Sequence, residues 1–463
     1  VNLRAASASA LGLLLGACVA VPPATAPLSA ESGASVLAAR SLSDPGLRRF
    51  LVENLGLEPP AIDAAWDFES LAWVAFYYHP SLAVARAQWA ATRASHQTAS
   101  ARPNPTVSLV PGYNSTREPG LSPWFPSVGL DFLLPTSDKR THQQAIAAAE
   151  AEAARLSVTA VAWQVRAELR RALAEATAGA LREPLLRAQA ETQRHILTLL
   201  TARLSAGRVA SPELSAARTA LLKADSASAE AHRQTALARL RVANVLGLPS
   251  ASLDGLALPP PPVAAPLAPA ALAEARRTSL QTRADVLAAL ARYHSTQSAL
   301  ALAAAKQQPD FHLGPGYQWD QGANKWSLAL TFELPLFHRN EGPLAEAAAR
   351  CTEAAAQFTA VQSQALAALD LAVATQASAT QQREHAAQFT AELRQQLAAA
   401  QHRFALGSAD QLELQSARLD LTAAEVAALD SSAALALASG QLDDALQIPF
   451  RNLAALAAAR PSP

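Results

Sequence analysis

The chain is 463 residues long, half of them apolar by type, and its 38 basic and 38 acidic side chains balance to zero formal charge. That balance provides no basic face for nucleic acid, and two cysteines cannot build a disulfide framework. Alanine, leucine, glutamine, arginine and glutamate fill several long windows, which is the composition of long packed helices.

Residues 1–17 read as a signal peptide: Arg4 supplies the charged start, and Leu11 to Leu15 an apolar stretch too short to span a bilayer. It closes on Leu15-Gly16-Ala17-Cys18, which resembles the bacterial lipobox, where the cysteine is acylated and becomes the mature N-terminus. An ordinary secretory signal is the alternative. In lipoproteins, valine rather than aspartate after the cysteine implies sorting to the outer membrane, and an acyl chain adds about 0.8 kcal/mol of membrane affinity per buried methylene. Residues 18–63, rich in proline, alanine and serine at their start, predict an extended lead-in.

A first unit spans 64–247. Helical periodicity runs from Ala64 through Trp66, Leu71, Trp73 and Tyr77, breaks at His79-Pro80 and resumes from Ser81 to about Ser100. Pro103 and Pro105 then open a strand hairpin whose turn holds Pro119, Gly120, Pro123 and Pro126, with Trp124 and Phe125 beside it. Helix-forming sequence follows from Ser137 to Ala206, broken only by Pro184. A turn covers Gly207 to Ser211, Pro212 suits a first helical turn, and a return helix reaches about Leu246. The proline-rich 248–269 is a linker.

A second unit, 270–446, repeats the plan: helices over 270–279 and 283–306, a hairpin, a helix over 341–406, a turn at Gly407 and a helix over 409–446. Residues 447–463 form a tail. In its hairpin Phe311, Leu313, Tyr317 and Trp319 alternate with His312, Gly314, Gly316 and Gln318. After a polar turn from Asp320 to Lys325, Trp326, Leu328, Leu330, Phe332 and Leu334 alternate with Ser327, Ala329, Thr331 and Glu333. Period two over about ten residues, twice, is a half-buried hairpin, and about 9–11 residues also lets a tilted strand cross a bilayer. Trp124, Tyr317, Trp319 and Trp326 fall near the turns, where an interfacial aromatic girdle sits.

The two units are copies. Pro111-Gly112-Tyr113 returns as Pro315-Gly316-Tyr317, and Leu130, Phe132 and Leu134 return as Leu330, Phe332 and Leu334. Arg203, Gly207, Glu213, Leu214, Ala217, Arg218, Leu221 and Ala224 recur, each 200 positions later, from Arg403 to Ala424. Four membrane-length strands do not close a barrel, and open sheet edges are not tolerated in hydrocarbon, so several chains must contribute. Three copies give twelve strands, an even number in the usual range.

The doubled helix–hairpin–helix plan, the glycine turns and the Glu-Leu-x-x-Ala-Arg at 213–218 and 413–418 resemble the outer membrane factor (TolC) family over about residues 64–446. The resemblance implies an α+β membrane protein: a homotrimer with a twelve-stranded β-barrel, four strands per chain, continuous with a long α-helical barrel in the periplasm. It implies a passive exit duct in outer-membrane lipid, working with a periplasmic adaptor (membrane fusion protein) and an inner-membrane pump of the RND type, without a cofactor and without catalysis. Arg283-Ala284-Asp285-Val286, Pro309-Asp310-Phe311 and Arg339-Asn340-x-Gly342 are most similar to the cobalt–zinc–cadmium branch, which implies heavy-metal cations as cargo. Organic compounds and secreted polypeptides are alternative cargoes, and a lipid-anchored coiled-coil spacer is the alternative of a different class.

In the family the turns between the long helices form a tip that meets the adaptor and closes like an iris. By motif those turns contain Gly207, Ser211 and Pro212, and Gly407, Asp410 and Gln411. Glu213 and Glu413 stand where the family often has aspartate, and three copies of each make carboxylate rings that favour cations. The plainer reading is an acidic helix start facing solvent. An arginine that some members carry is Ala409 here. His312, on the polar strand face, is either a solvated histidine or one that lines the lumen, and Cys351 has the small-residue surroundings of a buried structural thiol. The ten histidines are scattered and methionine is absent, so no metal-ligand cluster is visible in the sequence.

Overall fold

The computed structural model describes residues 29–56, 66–116 and 120–447. The chain divides after Arg40 into a short leading unit and the main body. In the leading unit, α1 (Ala30–Ala38) starts at Ser29, whose hydroxyl oxygen accepts the Ser32 N–H.

The body opens with α2 (Pro45–Leu55), so the extended segment predicted for 18–63 is corrected here as well as over α1. The sequence carries the signals for α2. The Asp44 carboxylate caps the Leu47 N–H at 2.9 Å, Pro45 fits the first turn, and Gly56 ends the helix at φ +68°. Leu47, Phe50 and Leu51, spaced i, i+3, i+4, are buried in the main hydrophobic core. The predicted boundary at 64 and Cys18 lie outside the described residues.

Next come α3 (Phe68–Tyr78), α4 (Pro80–Ser100), β1 (Thr106–Tyr113), β2 (Trp124–Leu134), α5 (Lys139–Ser205) and α6 (Ser211–Leu246). His79 is extended between α3 and α4, because a residue before proline is pushed out of the helical region. After a 3₁₀ turn at Ser250–Leu253, the second repeat brings α7 (Pro269–Thr282), α8 (Ala284–Ala305), β3 (Phe311–Asp320), β4 (Ala323–Phe332), α9 (Glu341–Ala405) and α10 (Gln411–Leu446). At 67 and 65 residues, α5 and α9 each extend about 100 Å.

Two local expectations change. First, α5 runs unbroken through Pro184. Proline inside a helix forfeits a hydrogen bond at about 3 kcal/mol, and buried Leu186 and Ala190 on the same helix favour its continuing. Second, the β3–β4 turn is only Gln321-Gly322, both at positive φ, so the ladder extends to Asp320↔Ala323.

The duplication is visible in contacts as well as in sequence. Arg194 of α5 meets Asp225 of α6 at 3.0 Å, and 200 positions later Arg394 of α9 meets Glu425 of α10 at 3.0 Å. The main core packs α2 and α3 onto α5 and α6, through Leu71, Phe76, Val165, Leu169, Val242 and Leu246. The linker docks its first part there through Leu253 and Leu256.

Three arginine–aspartate pairs join α5 to α10 in one antiparallel register: Arg170–Asp443 at 2.9 Å, Arg182–Asp430 at 3.3 Å and Arg203–Asp410 at 2.8 Å. The first is half-buried, with Arg170 only 2% exposed and Asp443 32%, and the Arg170 side chain fills the space that any side chain at Gly440 would need. Among the described residues, α10 alone is long and apolar enough by length and composition to cross a membrane. Ion pairs spaced along it fit a water-side seam instead, because charges inside a bilayer are costly.

Asp444, next to that pair, has its carboxyl pushed up from 3.8 to about 6 by burial, against the pull of Arg170 and Arg166. The folded state therefore keeps a proton that the unfolded state has lost, and stability falls as pH rises from about 4 to about 6. Asp444→Asn is expected to stabilise the protein by roughly 2–3 kcal/mol above pH 7 and far less near pH 4. Thermal unfolding of the detergent-solubilised protein at both pH values checks this.

Candidate functional site: strand faces and helix tips

The four strands form one antiparallel sheet in the order β1-β2-β3-β4, leaving β1 and β4 as edges. Register sorts the side chains. Val107↔Leu130, Leu109↔Val128, Val128↔Tyr317, Phe132↔Leu313, Leu313↔Leu330 and Tyr317↔Trp326 share one face. Its large apolar side chains include Val107, Leu109, Leu130, Phe132, Leu328 and Leu330, all exposed in the single chain. An apolar face of this extent implies a lipid or protein cover.

Aromatics frame that face. Tyr113 and Trp124 meet at 5.0 Å between ring centroids, and Tyr317 and Trp326 at 4.9 Å. Trp319 lies on the same face, opposite Asn324 and nearer the turn. At the other end Phe311 and Phe332 meet at 5.5 Å, a second aromatic row not singled out from sequence, although both residues alternate in phase with the rest.

The opposite face carries Ser108, Gly112, Ser127, Gly129, Asp131, His312, Gly314, Gly316, Gln318, Ser327, Ala329 and Thr331, together with Val110 and Leu133. The Phe125 ring lies across Gly112, in space that a side chain there would occupy. Lys325 and Asp320 pair at 2.7 Å near the turn. His312 is not merely solvated: its Nδ1 lies 2.8 Å from Asp131 Oδ2.

Below the sheet, the Lys139 ammonium donates to the Gln308 carbonyl at 2.6 Å and to Asp310 at 2.7 Å, and the Thr136 N–H donates to the same carboxylate at 2.9 Å. These bonds tie the end of β2 to the start of β3. Burial pushes the Asp310 acid up, but the hydrogen bonds from Lys139 and Thr136 outweigh it and hold the acid below 3.8.

Both predicted tips are helix–turn–helix joints built alike. Gly207 and Gly407 sit at φ +69° and +72°, and the N–H groups of Arg208 and Ser408 close onto the Arg203 and Arg403 carbonyls at 2.9 Å. Ser211 and Pro212 start α6, and Gln411 starts α10. Leu200, Leu204 and Leu214 of the first tip pack with Leu412 and Leu419 of the second.

The carboxylates predicted as equivalent are not equivalent. Glu413 pairs with Arg403 at 2.5 Å within its own hairpin. Arg203, which matches Arg403, crosses instead to Asp410 of the other hairpin. Asp410 also caps the Glu413 N–H at 2.9 Å, whereas its counterpart in the first repeat is Ala210, which has no side-chain acceptor and takes the Glu213 N–H on its carbonyl at 3.1 Å. Glu213 is left with a 3.5 Å contact from the Ala210 N–H and no cation against it among the described residues. Sequence reading chose Asp410 as a surface tip residue, and its part in joining the two hairpins appears only in the structure. Cys351 is partly exposed on α9 rather than buried. Among the described residues no three His, Cys, Asp or Glu side chains are placed to hold a metal ion.

A family model described as outer membrane efflux protein matches residues 75–248 and again 275–446, one match per repeat. The chain belongs to the outer membrane efflux protein family. Proteins of this family are channels rather than enzymes, and the fold is that of TolC-like channels. Among solved structures it is similar to the outer membrane protein VceC of Vibrio cholerae (TM-score 0.68, 21% identity, 83% of this chain and 97% of that one). It is also similar to the CmeC channel of Campylobacter jejuni (0.66, 15%, 93% of each) and to the open state of the MtrE channel of Neisseria gonorrhoeae (0.61, 18%, 84% and 93%). A search of curated proteins by sequence gives no match.

The Glu413 N–H and then the Arg203 guanidinium hold Asp410 below 3.8, so the tip link is intact above that pH and is lost as pH falls through the lowered value. Because both partners are substantially exposed, a double-mutant cycle of Arg203→Ala and Asp410→Ala is expected to give a coupling of only about 0.5–1 kcal/mol. Distance distributions between spin labels at positions 208 and 408 report it, with broadening in either variant and no more in the double variant.

Proposed function

We propose that three copies of this chain close a twelve-stranded barrel in the outer membrane, and that the channel is the exit duct of a pump completed by a periplasmic adaptor and an inner-membrane RND pump. The observation that carries this reading is the four-stranded sheet with two unpaired edges and one largely apolar face, standing on helices of about 100 Å. Trp124, Tyr317, Trp319 and Trp326 serve as the interfacial aromatics, and Cys18 carries the acyl anchor. The turns at Gly207–Pro212 and Gly407–Gln411 meet the adaptor.

The tips form the gate. Arg203 holds the two hairpins of one chain together through Asp410, in the place where other members use an arginine that is Ala409 here. Of the two proposed carboxylate rings, Glu213 is the one whose charge is not already matched by a neighbour, so it dominates cation preference at the entrance. Heavy-metal cations are the proposed cargo, and organic compounds are the second reading. The metal reading rests on the branch-like motifs. Two of their residues act structurally here, since Arg283 binds Asp285 and the Ala445 carbonyl, so those motifs mark lineage rather than cargo contact.

In planar bilayers the purified trimer is expected to show a small, cation-selective conductance. Arg203→Ala or Asp410→Ala raises it severalfold, Glu213→Gln removes most of the cation preference and Glu413→Gln removes little. A trimer that inserts but whose conductance ignores the Arg203 and Asp410 changes discards the gate and keeps the duct. Failure to insert returns the chain to the spacer class. Incorporation of labelled palmitate in the wild type, lost in Cys18→Ser, tests the anchor.

A further inference from the structure

We propose that His312, paired with Asp131, makes the foot of the barrel a proton-sensitive ion filter, separate from the carboxylates of the tip. This rests on the duct reading above, which turns the polar face of the sheet toward the lumen.

Most of that face is small and neutral, and its outer charges, Asp320 and Lys325, cancel each other. At the foot, Asp131 of β2 and His312 of β3 meet at 2.8 Å while each remains more than 40% exposed, so the pair is open to the ions that pass. His312 also lines a polar cavity of about 560 Å³ where the sheet joins the helices. The charged groups facing it there come from every adjoining element. Lys306 follows α8, Asp310 precedes β3 and is matched by Lys139 of α5, and Glu333 and Arg339 follow β4.

Counting Asp131, three carboxylates stand against three cations, so the collar is electrically balanced apart from its two histidines, His312 and His338. Histidine is the side chain that ordinarily changes charge between pH 5 and 8. Protonation adds up to two positive charges per chain to a neutral ring, repeated in every copy around the barrel. Fixed charge lining a pore biases which ions pass. Asp131 plays the positioning part: it orients the imidazole through the hydrogen bond at Nδ1.

The test is the reversal potential of the wild-type channel under a KCl gradient, with Arg203→Ala as an opened background. The potassium-to-chloride permeability ratio is expected to fall by roughly threefold between about pH 8 and about pH 5. His312→Gln should remove most of the fall, and His338→Gln a smaller share. Asp131→Asn should lower the ratio already at the higher pH. Glu213→Gln should leave the size of the fall unchanged, which separates the foot from the tip. A conducting channel whose ratio is flat in pH, or whose fall survives His312→Gln, overturns the filter and leaves the duct intact. A chain that conducts under no condition, Arg203→Ala included, overturns the duct and the filter together.

Discussion

A β-sheet edge cannot be left open in hydrocarbon, where each unmet N–H or carbonyl costs several kcal/mol. Among the described residues there are four strands, with the backbone of β1 and β4 unpaired on their outer sides. Everything else follows from meeting that demand with further copies. A closed ring of strands needs a helical foundation of matching girth, and α5 and α9, each followed by a shorter return helix, provide it twice per chain. Alanine-rich helix faces allow the close side-by-side packing that such a wall requires. In the proposed assembly the apolar sheet face, exposed in one chain, becomes the lipid surface.

Duplication is an economical way to build a ring, but a strict copy has no means of holding its two halves in one arrangement. The symmetry is kept where it serves packing, as in Arg194–Asp225 and Arg394–Glu425. It is broken at the tip, where Asp410 stands against Ala210. That one carboxylate draws Arg203 away from Glu213 and across to the second hairpin. The result is one tip carboxylate neutralised in place, one engaged in a bridge and one without a cation.

Along the α5–α10 seam the same chemistry has unequal strength. Near the body, buried Arg170 meets the partly exposed Asp443 in the space that Gly440 leaves, and removing Asp443 would leave a buried charge without its partner, which is destabilising. Toward the tip the pairs are exposed, and exposed pairs contribute at most about 1 kcal/mol each. A seam firm at one end and weak at the other favours motion at the tip, which suits the proposed gate.

The sequence by itself determined the duplicated plan, the helix and strand positions, the alternating strand faces and the glycine tips, because period, turn residues and repeats are local properties of the chain. It also held the marks of α2 in Asp44-Pro45 and Gly56, which the proline-rich start of the segment obscured. Only the tertiary structure decided that α5 continues through Pro184, where packing outweighs a lost hydrogen bond. It alone decided that Arg203 belongs to Asp410 and that His312 belongs to Asp131. Those partners lie 207 and 181 residues apart, and no local pattern of charge specifies which of several reachable carboxylates a side chain will meet once the helices and strands have packed.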